Sequence, residues 1–83
     1  MTLEELKEKR PLTIKVSEAA EIMGVTAQFL RIALQLDKFP FGTAVKMSQF
    51  EYYINTYRFL LYMEGADFNY IKSIPPKIIG GPV

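Results

Sequence analysis

The sequence predicts a single, mostly α-helical domain that carries one small β-hairpin. Three observations predict it. Two helical patterns meet at Met23-Gly24-Val25-Thr26. Two β-prone runs, Ala44–Met47 and Phe50–Ile54, follow at hairpin distance. Apolar residues make up 49% of the 83-residue chain, enough for a real core in a domain near the lower size limit for independent folding.

The elements follow in order. Thr2 to Arg10 reads as a short amphipathic helix. Thr2 is its cap, Leu3 and Leu6 share a face, and glutamates early with bases late match the helix dipole. Pro11 stops it. Leu12 to Val16 alternates apolar and polar residues and is β-branched, which suits a short strand or an extended lead-in. Ser17 is the expected cap of a helix over Glu18 to Met23, with Ala19, Ala20 and Met23 facing inward. Gly24 suits a left-handed C-terminal position, and Val25 plugs the turn. Thr26 caps the next helix, Ala27 to Leu36, which Asp37-Lys38 ends. Phe39-Pro40-Phe41-Gly42 leads away to the hairpin, whose connection lacks an Asn-Gly turn and so leaves the register open. Asn55 caps a last helix, Thr56 to Glu64, ended by Gly65, with Phe59, Tyr62 and Met63 inward. Beyond Gly65, the pairs Pro75-Pro76 and Gly80-Gly81 break regular structure. The expectation there is an extended tail that docks on the domain or on a partner. The expected organisation is a helical extension over 1–11, a central domain over 12–65 and the tail over 66–83.

A two-helix motif followed by a hairpin is the plan of a winged helix-turn-helix. The run VSEAAEIMGVTAQFLRIALQ, followed by FPFGTAVKMSQFEYYIN and a short helix, resembles the excisionase-like, MerR-like winged helix-turn-helix proteins of phages and integrated elements. The resemblance covers about Ile14 to Gly65 and is most specific in SEAAEIMGV and FPFGTAVKM. It implies a small DNA-binding protein without catalytic activity, either an excisionase or a transcriptional accessory factor. Double-stranded DNA would be its partner, joined by a recombinase or further copies of the chain. The second helix of the motif would enter the major groove, bringing Thr26, Ala27, Gln28, Arg31 and Gln35 to the duplex. Lys46, Ser48 and Gln49 at the hairpin tip would meet the neighbouring backbone. The chain departs from many relatives in carrying Ile32 and Gln35 where they have arginines, and Phe50 and Glu51 where their wings are basic.

Composition narrows the alternatives. The chain has no Cys and no His, so disulfides, the usual nucleophile–base pairs and transition-metal sites are not expected, nor is an enzyme, a cofactor or a small-molecule substrate. No apolar run approaches the ~20 residues that span a bilayer, and the N-terminus lacks the apolar stretch of a signal peptide; a cytoplasmic protein is the expectation. The formal charge is only +1, and between Pro11 and Glu64 five bases balance five acids. Few phosphates can therefore be neutralised, so a single copy should bind DNA weakly and lose it readily in salt.

Arg31 is the one base on the presumed recognition helix, read either as a guanine or phosphate contact or as a solvated arginine. Gln28 can read adenine, while Gln35 is better read as an ordinary surface residue. Phe29, Ile32 and Leu36 fall at i, i+3 and i+7 and form an apolar stripe. Either the N-terminal helix or the tail covers it, or it is a face for protein contact or self-association. The rival to DNA binding is therefore a protein-interaction or structural phage component assembled through this stripe or through Ile74, Ile78 and Ile79 of the tail. The aromatics of the hairpin and last helix fit core packing better than a base-stacking platform, with Tyr53 the one expected at the surface.

Overall fold

In the computed structural model, residues 1–73 are described, and they form five helices and a three-stranded antiparallel sheet. Helix α1 is Leu3–Lys9, α2 Val16–Met23, α3 Ala27–Gln35, α4 Thr56–Met63 and α5 Phe68–Ser73. The strands are β1 Thr13–Ile14, β2 Gly42–Lys46 and β3 Phe50–Asn55, in the order β1-β3-β2. The domain is thus a small α+β unit in which the hairpin is joined by a third strand. The alternating segment before α2 pairs with β3, Thr13 opposite Asn55 and Ile14 opposite Ile54. Ile14 is buried while its neighbours Thr13 and Lys15 are exposed, as the two-residue period demands.

The helix ends are set by local chemistry. At α1, Thr2 Oγ1 accepts from the Glu5 N–H (3.2 Å) and the Glu5 carboxylate accepts from the Thr2 N–H (2.9 Å), a reciprocal capping box. The Thr2 backbone N–H, and after it the Thr2 side chain, favour the ionised Glu5 carboxylate and hold its pKa below the ordinary value. Helix α2 begins two residues earlier than expected. Lys15, not Ser17, takes the N-cap position, because the Glu18 carboxylate reaches back to accept the Lys15 N–H at 3.1 Å and caps the helix from inside its first turn. At α4, Asn55 Oδ1 accepts the Arg58 N–H at 2.9 Å.

The core comprises Leu6, Ile14, Ala19, Ala20, Leu30, Leu34, Phe41, Ile54, Phe59 and Leu60. Ala19 and Ala20 on α2 are small enough for α3 to lie close. The Phe-Pro-Phe segment does more than connect. Pro40 and Phe41 are fully buried, and Phe41 meets Phe59 edge-on at 4.9 Å and Tyr62 at 5.2 Å, while Phe39 stacks on Phe41 at 5.1 Å. This aromatic cluster joins the α3–β2 connection to α4.

The expectation of an extended tail from residue 66 is corrected over its first part. Phe68–Ser73 is helical, and Ile71 is completely buried. Asp67 Oδ2 accepts the N–H groups of Asn69 (3.0 Å) and Tyr70 (3.2 Å), which starts the helix, and burial of Ile71 anchors it. Residues 74–83, which include Ile74, Ile78 and Ile79, lie outside the described residues.

Candidate functional site

Helices α2 and α3 meet through a three-residue turn. Gly24 sits at φ 78°, a left-handed conformation that costs a residue with a Cβ about 1–2 kcal/mol. From there the Gly24 N–H donates to the Ala20 carbonyl at 2.9 Å and the Val25 N–H donates to the same carbonyl at 3.0 Å, closing α2. Thr26 Oγ1 then accepts the Phe29 N–H at 3.0 Å and opens α3. Each residue of Gly24-Val25-Thr26 therefore has a separate task in redirecting the chain.

Burial divides α3 into sectors. Leu30, Ala33 and Leu34 face the core. Turning round the helix at about 100° per residue, the outward arc runs Arg31, Gln35, Gln28, Ile32, Leu36, Phe29. Half of it is polar and half apolar. Phe29, Ile32 and Leu36 are 52%, 47% and 61% exposed, so among the described residues neither α1 nor α5 covers the stripe. With Ala33, Lys38 and Phe39 they line an open apolar groove of about 240 Å³.

The eight positions assigned to a duplex fall on two neighbouring elements. Thr26, Gln28, Arg31 and Gln35 are exposed along α3, and Ala27 is half-buried and packed against the core. Thr26 is committed first to its capping bond. Gln35 is not free either, since its Nε2 donates to the Tyr52 hydroxyl at 2.8 Å and ties α3 to β3. That bond fits the reading of Gln35 as a surface residue with a local role.

Lys46, Ser48 and Gln49 lie at the hairpin tip. Strands β2 and β3 pair from Gly42 opposite Ile54 to Lys46 opposite Phe50, so the connection is the three residues Met47-Ser48-Gln49. The Met47 N–H donates to the Gln49 carbonyl at 3.0 Å across this tip. Lys46 Nζ stands 4.9 Å from the centre of the Phe50 ring, so the ring holds the base at the tip by a cation–π contact. Tyr52 and Phe50 are half-buried and Tyr53 is exposed. Residues in register alternate faces along both strands, which turns Tyr53 and Glu51 outward.

One ion pair bears on the far end of α3. Asp37 adopts a left-handed φ of 56° just past the helix, and its carboxylate pairs with Lys72 Nζ of α5 at 3.2 Å. The Arg58 guanidinium donates to the Lys72 carbonyl at 3.2 Å, so α4 and α5 hold this corner together. Sequence reading missed this contact, since Asp37 and Lys72 are separated by 35 residues and nothing local announces their pairing.

Among the described residues no helix is long and apolar enough to cross a membrane. No family model matches the chain, and no curated protein or solved structure matches it.

Proposed function

We propose that the chain is a small, non-catalytic DNA-binding protein of winged helix-turn-helix type. Its role would be that of an excisionase-like or transcriptional accessory factor of a phage or mobile element. The observation that carries this reading is the turn at Gly24-Val25-Thr26. It delivers α3 with Gln28 and Arg31 exposed on one side, next to a hairpin whose tip bears Lys46, Ser48 and Gln49. In this reading α3 enters the major groove. Arg31 takes a guanine edge or a phosphate, Gln28 takes adenine, and Ile32, beside Gln28 on the outward arc, packs on a thymine methyl. The hairpin tip follows the adjacent backbone as a wing.

Affinity per copy is low in this mechanism, because Arg31, Lys38 and Lys46 are the bases near the interface and the central segment has no net charge. Useful occupancy then comes from several copies on neighbouring sites or from a recombinase bound alongside. Selection from a random duplex library at low salt tests the class. An enriched motif whose capture is lost with Arg31→Ala supports the reading, and a pool with no enrichment overturns it.

A second reading is favoured by the apolar half of α3. A helix face with three large side chains near half exposure, set in a groove, suits a protein partner as well as a duplex. Under that reading the chain is a protein-interaction or structural component, and the library selection fails while the fold stays intact.

A further inference from the structure

Resting on the reading of α3 as a recognition helix, we infer that the chain selects its duplex by the C5-methyl groups of about three successive thymines, met in a row by Ile32, Leu36 and Phe29. Leu30, Ala33 and Leu34 fix which side of α3 faces the core. At about 100° per residue, the direction opposite their mean falls between Gln28 and Ile32. These two side chains therefore go deepest into whatever α3 enters, and one of them is apolar. Leu36 and Phe29 follow on the Ile32 side, Gln35 and Arg31 on the other. The three apolar side chains are 47–61% exposed, so they are met by the ligand and not by the core.

The floor of a major groove offers hydrogen-bonding groups at every base pair, and its apolar landmark is the thymine C5-methyl group. An apolar row pressed on guanine, adenine or cytosine edges strips them of water and returns no hydrogen bond. Pressed on thymine methyls, it buries apolar surface on both partners. From Phe29 to Leu36 the helix rises about 10 Å. Base pairs follow at about 3.4 Å, so the row covers about three of them. The charges fit the same occupant. Arg31 stands at the polar edge of the exposed arc, and Lys38 lines the groove beside Leu36. The apolar row thus lies between two bases, as a groove floor lies between two phosphate backbones. Asp37, the acid next to Leu36, has its charge answered by Lys72 Nζ at 3.2 Å. With no net charge in the central segment, methyl burial supplies affinity that phosphate contacts do not.

The test uses the full chain and two random duplex pools, identical except that deoxyuridine replaces thymidine in one. The exchange removes the C5-methyl groups and keeps every hydrogen-bonding group of the base. After parallel selection at low salt, the thymidine pool is expected to yield a motif with a run of about three thymines. The deoxyuridine version of that duplex is expected to bind about 60-fold more weakly, roughly four-fold for each methyl lost. Ile32→Ala, at an exposed position that spares the core, should weaken binding of the thymidine duplex by at least about four-fold. Its slope of log K against log salt should match the parent's, because no phosphate contact is lost. In that variant, removing the methyl that Ile32 meets should change affinity little, since the two losses are coupled. A selected motif without thymines, or equal affinity for its thymidine and deoxyuridine versions, overturns the methyl proposal and leaves DNA binding standing. Enrichment in neither pool overturns both.

Discussion

Gly42 opens β2 beside Leu34 of α3, and replacing it with alanine is the most direct test of how the hairpin is mounted. A Cβ built there meets the Tyr53 carbonyl oxygen at 2.8 Å, Ile54 Cγ1 at 3.1 Å and Leu34 Cδ2 at 3.2 Å. The first neighbour is backbone of the paired strand and cannot rotate away. Overpacking of this kind costs about 1–3 kcal/mol, and glycine-to-alanine replacement returns about 0.4–1 kcal/mol by restricting the unfolded chain. The net loss is roughly 1–2 kcal/mol, which lowers Tm by roughly 4–16 °C in a domain of this size. Gly24 is the control. Its Cβ would meet nothing within 4 Å, so only its left-handed φ is strained. After the same unfolded-state return, the net cost there is about 1 kcal/mol or less. Thermal unfolding followed by circular dichroism should rank Gly42→Ala below Gly24→Ala. The reasoning is refuted if Gly24→Ala is the more damaging, or if Gly42→Ala melts with the parent.

Other outcomes follow from single contacts. Thr26→Ala should cost about 1 kcal/mol in urea unfolding through loss of the α3 cap. Thr56→Val should be neutral or stabilising by up to roughly 1 kcal/mol, because the Thr56 hydroxyl is buried without a partner among the described residues. Arg31→Ala should weaken binding to a selected duplex by about 1–3 kcal/mol, measured by fluorescence anisotropy, and the parent's log K against log salt should have a slope of only about −2 to −3. Glu5 has its pKa lowered by its bonds to Thr2, so its contribution to stability is present above the ordinary carboxylate value and is lost as pH falls through the depressed one. A carboxyl titration by NMR should find Glu5 below the ordinary glutamate value, and Thr2→Ala should raise it.

The parts of the fold legible in the sequence are those whose physics is local. Thr2, Thr26 and Asn55 cap the helices expected of them, and Gly24 takes the left-handed turn. Alternation in the hairpin correctly left Tyr53 outside. What escaped depends on distant partners. Helix α5 has six residues and a single buried side chain, too little for a periodic signal, although Asp67 was a readable start. Phe41 looks like a loop residue until Phe59 and Tyr62 close on it. Ser17 lost the cap position to Lys15, because the Glu18 carboxylate accepts the Lys15 N–H and the helix starts before Ser17. At the candidate site the exposure of Gln28 and Arg31 follows from helical period alone, whereas the engagement of Gln35 by Tyr52 needed the hairpin in place.

Asn55 gathers the base of the hairpin at one residue. Its N–H donates to the Phe41 carbonyl at 2.9 Å, its side chain caps α4 and its backbone lies opposite Thr13, while the Thr56 N–H beside it donates to the Leu12 carbonyl at 3.1 Å. The angle at which the hairpin leaves the domain is therefore decided at its root. Met47, Ser48 and Gln49 are spared any part in that decision, so mutation there can retune what the tip touches while its direction of approach stays the same.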